Sequence, residues 1–149
     1  MKFLRKRGGL LMTSTLVDSN VLIDVFERDP VWFDWSARML EMVREDGPLI
    51  LNVVVASEVA RAFKSEKLFE GIFSQPMFAR EEIPWEVAFR SSVAHAEYRR
   101  RGGMCERTLP DFLIGSHAAT RGHRLLTRDA ARYRTYFPEV EVLAPDTHP

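Results

Sequence analysis

The stretch TLVDSNVLIDVF, residues 15–26, decides how the chain is read. Leu16 and Val17 carry the apolar run of a buried strand, whereas Val21, Leu22, Val25 and Phe26 recur at helical spacing, which predicts a helix starting near Asn20. Asp18 therefore stands where a strand hands over to a helix. A carboxylate there serves either as the helix N-cap or as a functional group at the carboxyl end of a strand, and these residues alone leave both open.

Outward from that junction the same alternation repeats. Pro30 opens an amphipathic helix through VWFDWSARMLEMVRED, ended by Gly47 and Pro48. The run LILNV (49–53) reads as a second strand, followed by helical ASEVARAFKSEKLFEGIF. A short extended piece near REEIP precedes a long helix, WEVAFRSSVAHAEYRRR, which Gly102 and Gly103 stop. Then come a helix in LPDFLIGSHAATRG, a strand in RLLT, a helical turn in RDAARYRTYF and a last strand in VEVLA. Strands alternating with helices imply right-handed crossovers and an α/β fold with a mostly parallel sheet covered on both faces.

With 149 residues, 46% of them hydrophobic, the chain suits one domain with one core. A single cysteine, Cys105, allows no internal disulfide and suits a reducing compartment. No apolar stretch approaches the length of a membrane span, and the basic opening MKFLRKRGGLLM lacks the apolar core of a secretion signal. The expected location is cytoplasmic, with no membrane partner. Met12 offers an alternative start; residues 1–11 then read as a loose basic tail and residues 12–149 as the domain. The net charge is zero but unevenly placed: residues 1–11 carry four Lys or Arg and no acid, and residues 95–134 carry nine Arg against four acids. Such an imbalance is compatible with a polyanion that meets one face, and equally with solvated helix faces.

In an open parallel sheet the functional crevice lies outside the carboxyl ends of the strands. Asp18 follows the strand TLV directly, and Asp129 follows RLLT. Glu58 lies on the helix leaving LILNV and can lean back toward the same rim. Asp111 reaches that rim only if its helix begins there. Each acid has a plainer role available: Asp111 could complete a capping box with Thr108, Asp129 could cap a turn, and Glu58 could be an exposed helix residue. Asp24, Asp34 and Glu41 fit surface faces. Four acids converging on one edge would repel one another, and a divalent cation removes that repulsion. All-oxygen ligands suit Mg²⁺ or Mn²⁺ rather than zinc, and such an ion can activate water and screen a phosphodiester. For zinc, Cys105, His117 and His123 have no recognised spacing, and two histidines six apart on one helix would face different ways. His95 reads as an ordinary helix residue.

The segments LVDSNVLIDV, SEVARAF, LPDFLIGSHAA and LLTRDAARYRTYFPEVEVLAP, taken in order, resemble the successive motifs of PIN-domain ribonucleases, specifically VapC-type toxins of toxin–antitoxin pairs. The resemblance runs from about Thr15 to Pro145. It implies a PIN-like α/β fold in which Asp18, Glu58, Asp111 and Asp129 form the acidic catalytic and metal site for Mg²⁺ or Mn²⁺, with Thr127 an accessory hydroxyl and Asn20 a polar support. It further implies RNA cleavage leaving 5′-phosphate ends, restraint by a cognate antitoxin protein, and a homodimer. Ser19 stands where Thr is frequent, Arg132 stands where many relatives carry an acid, and others have Asn at the position of Asp129. The basic tail has no counterpart in the motifs.

A rim of carboxylates repels phosphate, so RNA must be held by cations outside it; Arg121, Arg124, Arg128 and Arg132 flank the strand leading to Asp129, and Arg121, Arg128 and Arg132 are the expected contacts. Arg99, Arg100 and Arg101 end a long helix, where they also complement its dipole. The apolar helices Trp32–Val43 and Trp85–Tyr98 offer surface for a partner helix, unless their stripes are core. Two other functions compete. A receiver-like phosphoacceptor would need a lysine after a strand, and none of Lys2, Lys6, Lys64 and Lys67 is so placed. A PIN-like scaffold that only binds would not need the full acid set.

Overall fold

The computed structural model describes residues 5–7, 10–103 and 108–149. Cys105 and the Thr108 hydroxyl invoked for a capping box lie outside what it describes. Its centre is a five-stranded parallel sheet of β3 (Thr15–Val17), β4 (Leu49–Leu51), β5 (Phe78–Arg80), β6 (Arg124–Leu126) and β7 (Val142–Leu143), in the order β5-β4-β3-β6-β7. Strand β3 is central, which is why Thr15, Leu16 and Val17 are all buried and why no polar alternation marks them. The α/β reading holds. Residues 5–7 (β1) and 10–12 (β2) pair as a two-stranded antiparallel ribbon, where the sequence suggested a loose tail.

From β3 the chain moves outward on one side through β4 to β5, then returns to pair β6 on the other side of β3. The winding direction thus reverses between β3 and β6, and the crevice of a doubly wound sheet opens at the carboxyl ends of those two strands. Their ends are joined where the Asp18 N–H donates to the Leu126 carbonyl at 2.9 Å.

Seven α-helices connect the strands: α1 (Ser19–Phe26), α2 (Phe33–Asp46), α3 (Val53–Val59), α4 (Glu66–Phe73), α5 (Val87–Arg100), α6 (Thr108–Arg121) and α7 (Ala130–Tyr136). Helix α2 starts after Trp32 rather than at Pro30, because the Asp29 carboxylate takes the N–H groups of Val31 and Trp32 at 2.8 and 2.9 Å and completes a turn first. The long helix expected over 56–73 is two helices. A 3-10 turn, Ala60–Ala62, ends the first; Ser65 then caps α4, its hydroxyl accepting from the Leu68 N–H. The break turns Phe63 into an aromatic cluster with Phe26, Phe69 and Phe73, at ring-centroid distances of 5.0, 5.5 and 5.7 Å. The core continues through Leu22, Met39, Val43, Val55, Phe112, Ile114, Leu125 and Phe137. Gly115 is required where α6 meets Phe137, since a Cβ there would strike the Phe137 ring. Among the described residues, no helix is long and apolar enough to cross a membrane.

Candidate active site

The crevice between β3 and β6 gathers the predicted acids. Asp18 is 5% exposed and is the N-cap of α1, its Oδ1 accepting from the Ser19 N–H at 2.8 Å. Its Oδ2 accepts from the Thr127 hydroxyl at 2.8 Å, the Tyr133 hydroxyl at 3.0 Å and Asn20 Nδ2 at 3.4 Å. Four donors on one carboxylate fix its orientation, yet burial outweighs them and lifts its pKa from 3.8 to about 6, with Asp111 and Glu58 adding to the rise. Asn20 also donates to Thr127 at 3.3 Å and accepts from the Arg128 N–H at 3.2 Å, so it ties the loop after β3 to the loop after β6.

Glu58 sits in the last turn of α3 and does lean to this rim. Burial raises its pKa, opposed by a hydrogen bond from Ser19, and Asp111 pushes it further up. Its Oε1 is buried without a hydrogen-bond partner. Asp111 lies in the first turn of α6, so the condition for its reaching the rim is met; burial raises its pKa, the Arg132 guanidinium pulls it down and Asp129 pushes it up. Asp129 precedes α7 and is exposed; its side chain makes no capping hydrogen bond, while its N–H donates to Thr127 at 3.1 Å. All four acids therefore share one rim, with Asp129 at its outer edge.

Tyr133 was not anticipated. It lies one turn beyond Asp129 on α7, is buried, and aims its hydroxyl at Asp18; burial and then the Asp18 charge push its pKa well above the usual value. The only sequence signal is its spacing of four from Asp129, which puts both on one helix face.

The arginines are distributed differently from the sequence reading. Arg132 is ion-paired to Asp111 and stacks over the Tyr98 ring at 5.2 Å. Arg128 makes a two-pronged pair with Asp24, Nε to Oδ2 at 2.6 Å and Nη2 to Oδ1 at 3.0 Å, and lies over Trp32. Asp24, read as a surface residue, is 1% exposed and also accepts from the Ser36 hydroxyl at 2.7 Å. Arg121 ends α6, ten residues and about 15 Å from Asp111 along the helix, at the end away from the acid rim. It does not flank the rim.

A second polar cluster lies apart from this crevice. His117 Nε2 and His123 Nε2 both approach Glu81 Oε1 at 2.8 Å. His123 is beyond the end of α6, its N–H turned back onto the Ala118 carbonyl, which is how two residues six apart meet. Asn52 Oδ1 accepts the Val55 N–H as the cap of α3, so its Nδ2 must donate to His117 Nδ1 at 2.9 Å. Nδ1 is then an acceptor and Nε2 carries the hydrogen, which it gives to Glu81. The cluster is a hydrogen-bonded tie between the end of β5 and α6, and it brings together the two histidines that a spacing of six suggested would face different ways.

The acid rim does suit a hard divalent cation. An unpartnered buried carboxylate oxygen, three acids held above their ordinary pKa by burial, and an all-oxygen donor set are what such an ion would relieve.

The architecture is shared with solved structures. The chain is similar to one in the crystal structure of VapBC2 from Rickettsia felis bound to a DNA fragment from their promoter, with TM-score 0.67 and 14% identity over 89% of this chain and 98% of that one. It is also similar to a chain of FitAcB from Neisseria gonorrhoeae (TM-score 0.63, 20% identity, 91% and 99% covered). A chain of a toxin–antitoxin complex from Klebsiella pneumoniae gives TM-score 0.64 at 24% identity, with 88% and 97% covered. A comparison with curated proteins returns no match. The PIN domain family matches residues 15–138, from β3 through α7, the helix that carries Tyr133, and the chain belongs to that family.

Proposed function

We propose that the protein is an endoribonuclease dependent on Mg²⁺ or Mn²⁺, acting in the cytoplasm as the VapC-type toxin of a toxin–antitoxin pair. The observation that carries this reading is the buried, unpartnered Glu58 Oε1 facing a crevice already crowded by Asp18 and Asp111. Asp18, Asp111 and Glu58 would hold the ion, with Asp129 completing the set from the outer edge. When bound, the ion supplies Lewis-acid polarisation of phosphate and a more acidic water. The chain's own residues do the positioning. Thr127, Tyr133 and Asn20 hold the Asp18 carboxylate in one orientation, so its lone pairs do not reorganise during reaction. Asp129 is exposed, so the crevice is open to water and substrate on its side. Purified protein incubated with total RNA and Mn²⁺ should cleave it, leaving 5′-phosphate ends, and a chelator should stop the cleavage. Intact RNA under those conditions would refute the reading.

The similar structures named above include toxin–antitoxin complexes, which supports a cognate antitoxin as partner. A homodimer has its own support in α5. Trp85, in the turn that leads into the helix, and Phe89 and Val93 on it form an exposed stripe at spacings of four, with Trp85 90% and Phe89 80% accessible, beside the small exposed residues Ser92 and Ala96. Large aromatic side chains so exposed mark an interaction surface. The stripe is acidic at one end (Glu82, Glu86) and basic at the other (Arg99, Arg100). Antiparallel pairing of α5 with a second copy sets Glu86 against Arg99 of the partner subunit and buries the stripe, the self-complementarity that a two-fold interface demands.

A further inference from the structure

The reassignment of Arg121, Arg128 and Arg132 leaves open which cation holds the substrate, and the groove beside Glu58 supplies one. A groove of about 380 Å³ runs between α1 and the end of α3, walled by Ser19, Asn20, Ser57 and Glu58, with Ile23 as an apolar patch and Arg61 at its mouth. We propose that this groove is a subsite for one nucleotide of single-stranded RNA, in which Arg61 holds the phosphate neighbouring the one at the acid rim; the proposal rests on the nuclease reading.

Position and charge select Arg61. It lies in the 3-10 turn three residues past Glu58, on the same face, and its charge already acts on Glu58 by lowering that carboxyl's pKa. Its side chain is 69% exposed, and its one ion pair is a 3.8 Å approach to the half-exposed Glu27. A surface pair of that kind contributes little and is easily exchanged for a phosphate. Arg128, which also borders the groove, is committed in a bidentate pair to buried Asp24, and Arg132 is committed to Asp111. Arg61 is therefore the guanidinium at the groove whose transfer to a phosphate leaves no buried carboxylate unpaired. The remaining lining fits a nucleotide: the Ser19 and Ser57 hydroxyls donate to Glu58 and to the Val53 carbonyl, which leaves their oxygens to accept from a ribose hydroxyl, and Ile23 gives a base or sugar an apolar face. At about 380 Å³ the groove is the size of a single nucleotide, which suits an unpaired strand.

The test is binding of a fluorescein-labelled, mixed-sequence single-stranded RNA oligomer to the full chain in chelator, across a salt series. Arg61→Ala should weaken binding about tenfold and lower the slope of log K against log salt by about 0.7. Arg61→Lys should keep the slope, because the charge remains, while losing part of the affinity. Arg121→Ala, at the end of α6 away from the acid rim, should change neither. Mn²⁺ should still raise the Tm of Arg61→Ala, by at least as much as in the parent because a cation beside Glu58 is removed, which shows that the variant is folded with its acid site intact. Parental affinity and slope in Arg61→Ala, with RNA still cleaved by the parent, would overturn the subsite and leave the nuclease reading standing. A parent that neither binds nor cleaves RNA would overturn both.

Discussion

Replacing Asp18 by Asn should stabilise the metal-free protein at neutral pH although it destroys the site. The native carboxylate binds its proton more tightly than the unfolded chain does, with a pKa of about 6 against 3.8. The stability it contributes is complete below the lower value and is lost as pH rises through the upper one. Well above pH 6 the loss corresponds to about 3 kcal/mol. Asn carries no charge and so escapes it. It is also a good N-cap, and its amide can take over Oδ2's place with the Thr127 and Tyr133 hydroxyls turned to accept, while the long bond from Asn20 Nδ2 is lost. Allowing about 1 kcal/mol for poorer hydrogen bonds leaves a net gain of about 2 kcal/mol, or roughly 5 °C in Tm for a chain of this size. Calorimetric melts in chelator at about pH 7.5 and about pH 4 would read the difference, which should vanish or reverse at the lower pH. With Mn²⁺ at a hundredfold excess over its dissociation constant the parent should gain about 2.7 kcal/mol and the variant far less. An Asn variant less stable than the parent in chelator at pH 7.5, yet equal to it at pH 4, would refute the claim that this carboxylate is held ionised against its environment.

Arg128→Ala should cost about 3 kcal/mol by leaving buried Asp24 without its cation; a denaturant melt within error of the parent would show the pair to be dispensable. Tyr133→Phe removes a hydrogen bond that lowers the Asp18 pKa, so the acidic limb of the cleavage profile should move to higher pH with little change in rate at about pH 8. An unmoved limb in the pH–rate measurement would contradict that role. Phe89→Glu should convert a dimer to monomer in sedimentation equilibrium, and Glu86→Arg should weaken it; adding Arg99→Glu to Glu86→Arg should restore it if the helices pair antiparallel.

Where neighbouring residues set the outcome, the amino-acid order was enough. The apolar run ending at Asp18, followed by helical spacing, marks a strand-to-helix turn because period two and period 3.6 are local properties of backbone geometry. The alternation of such segments then implies a parallel sheet, and a parallel sheet puts the residues after its strands on one rim. Asp18 and Asp129 were legible as rim residues for that reason, and Glu58 as an acid able to lean back to the same rim; Asp111 was legible only on the condition that its helix begin there, and the start of α6 at Thr108 decides that. The short edge strand β5 was legible only as an extended piece, since three residues carry too little pattern to show their pairing with β4. What a charged side chain does at that rim was not legible at all. Asp24 looks like a surface acid until β6 brings Arg128 against it from 104 positions away. His117 and His123 appear to diverge until the chain reverses after α6 and both meet Glu81. Nine arginines in residues 95–134 look like a basic face, yet those at the crevice, Arg128 and Arg132, are each claimed by a carboxylate, while Arg61, in an acidic stretch of sequence, is left at the groove. Pairing energies depend on distances of a few ångströms between groups far apart in the chain, and the winding of the sheet sets those distances.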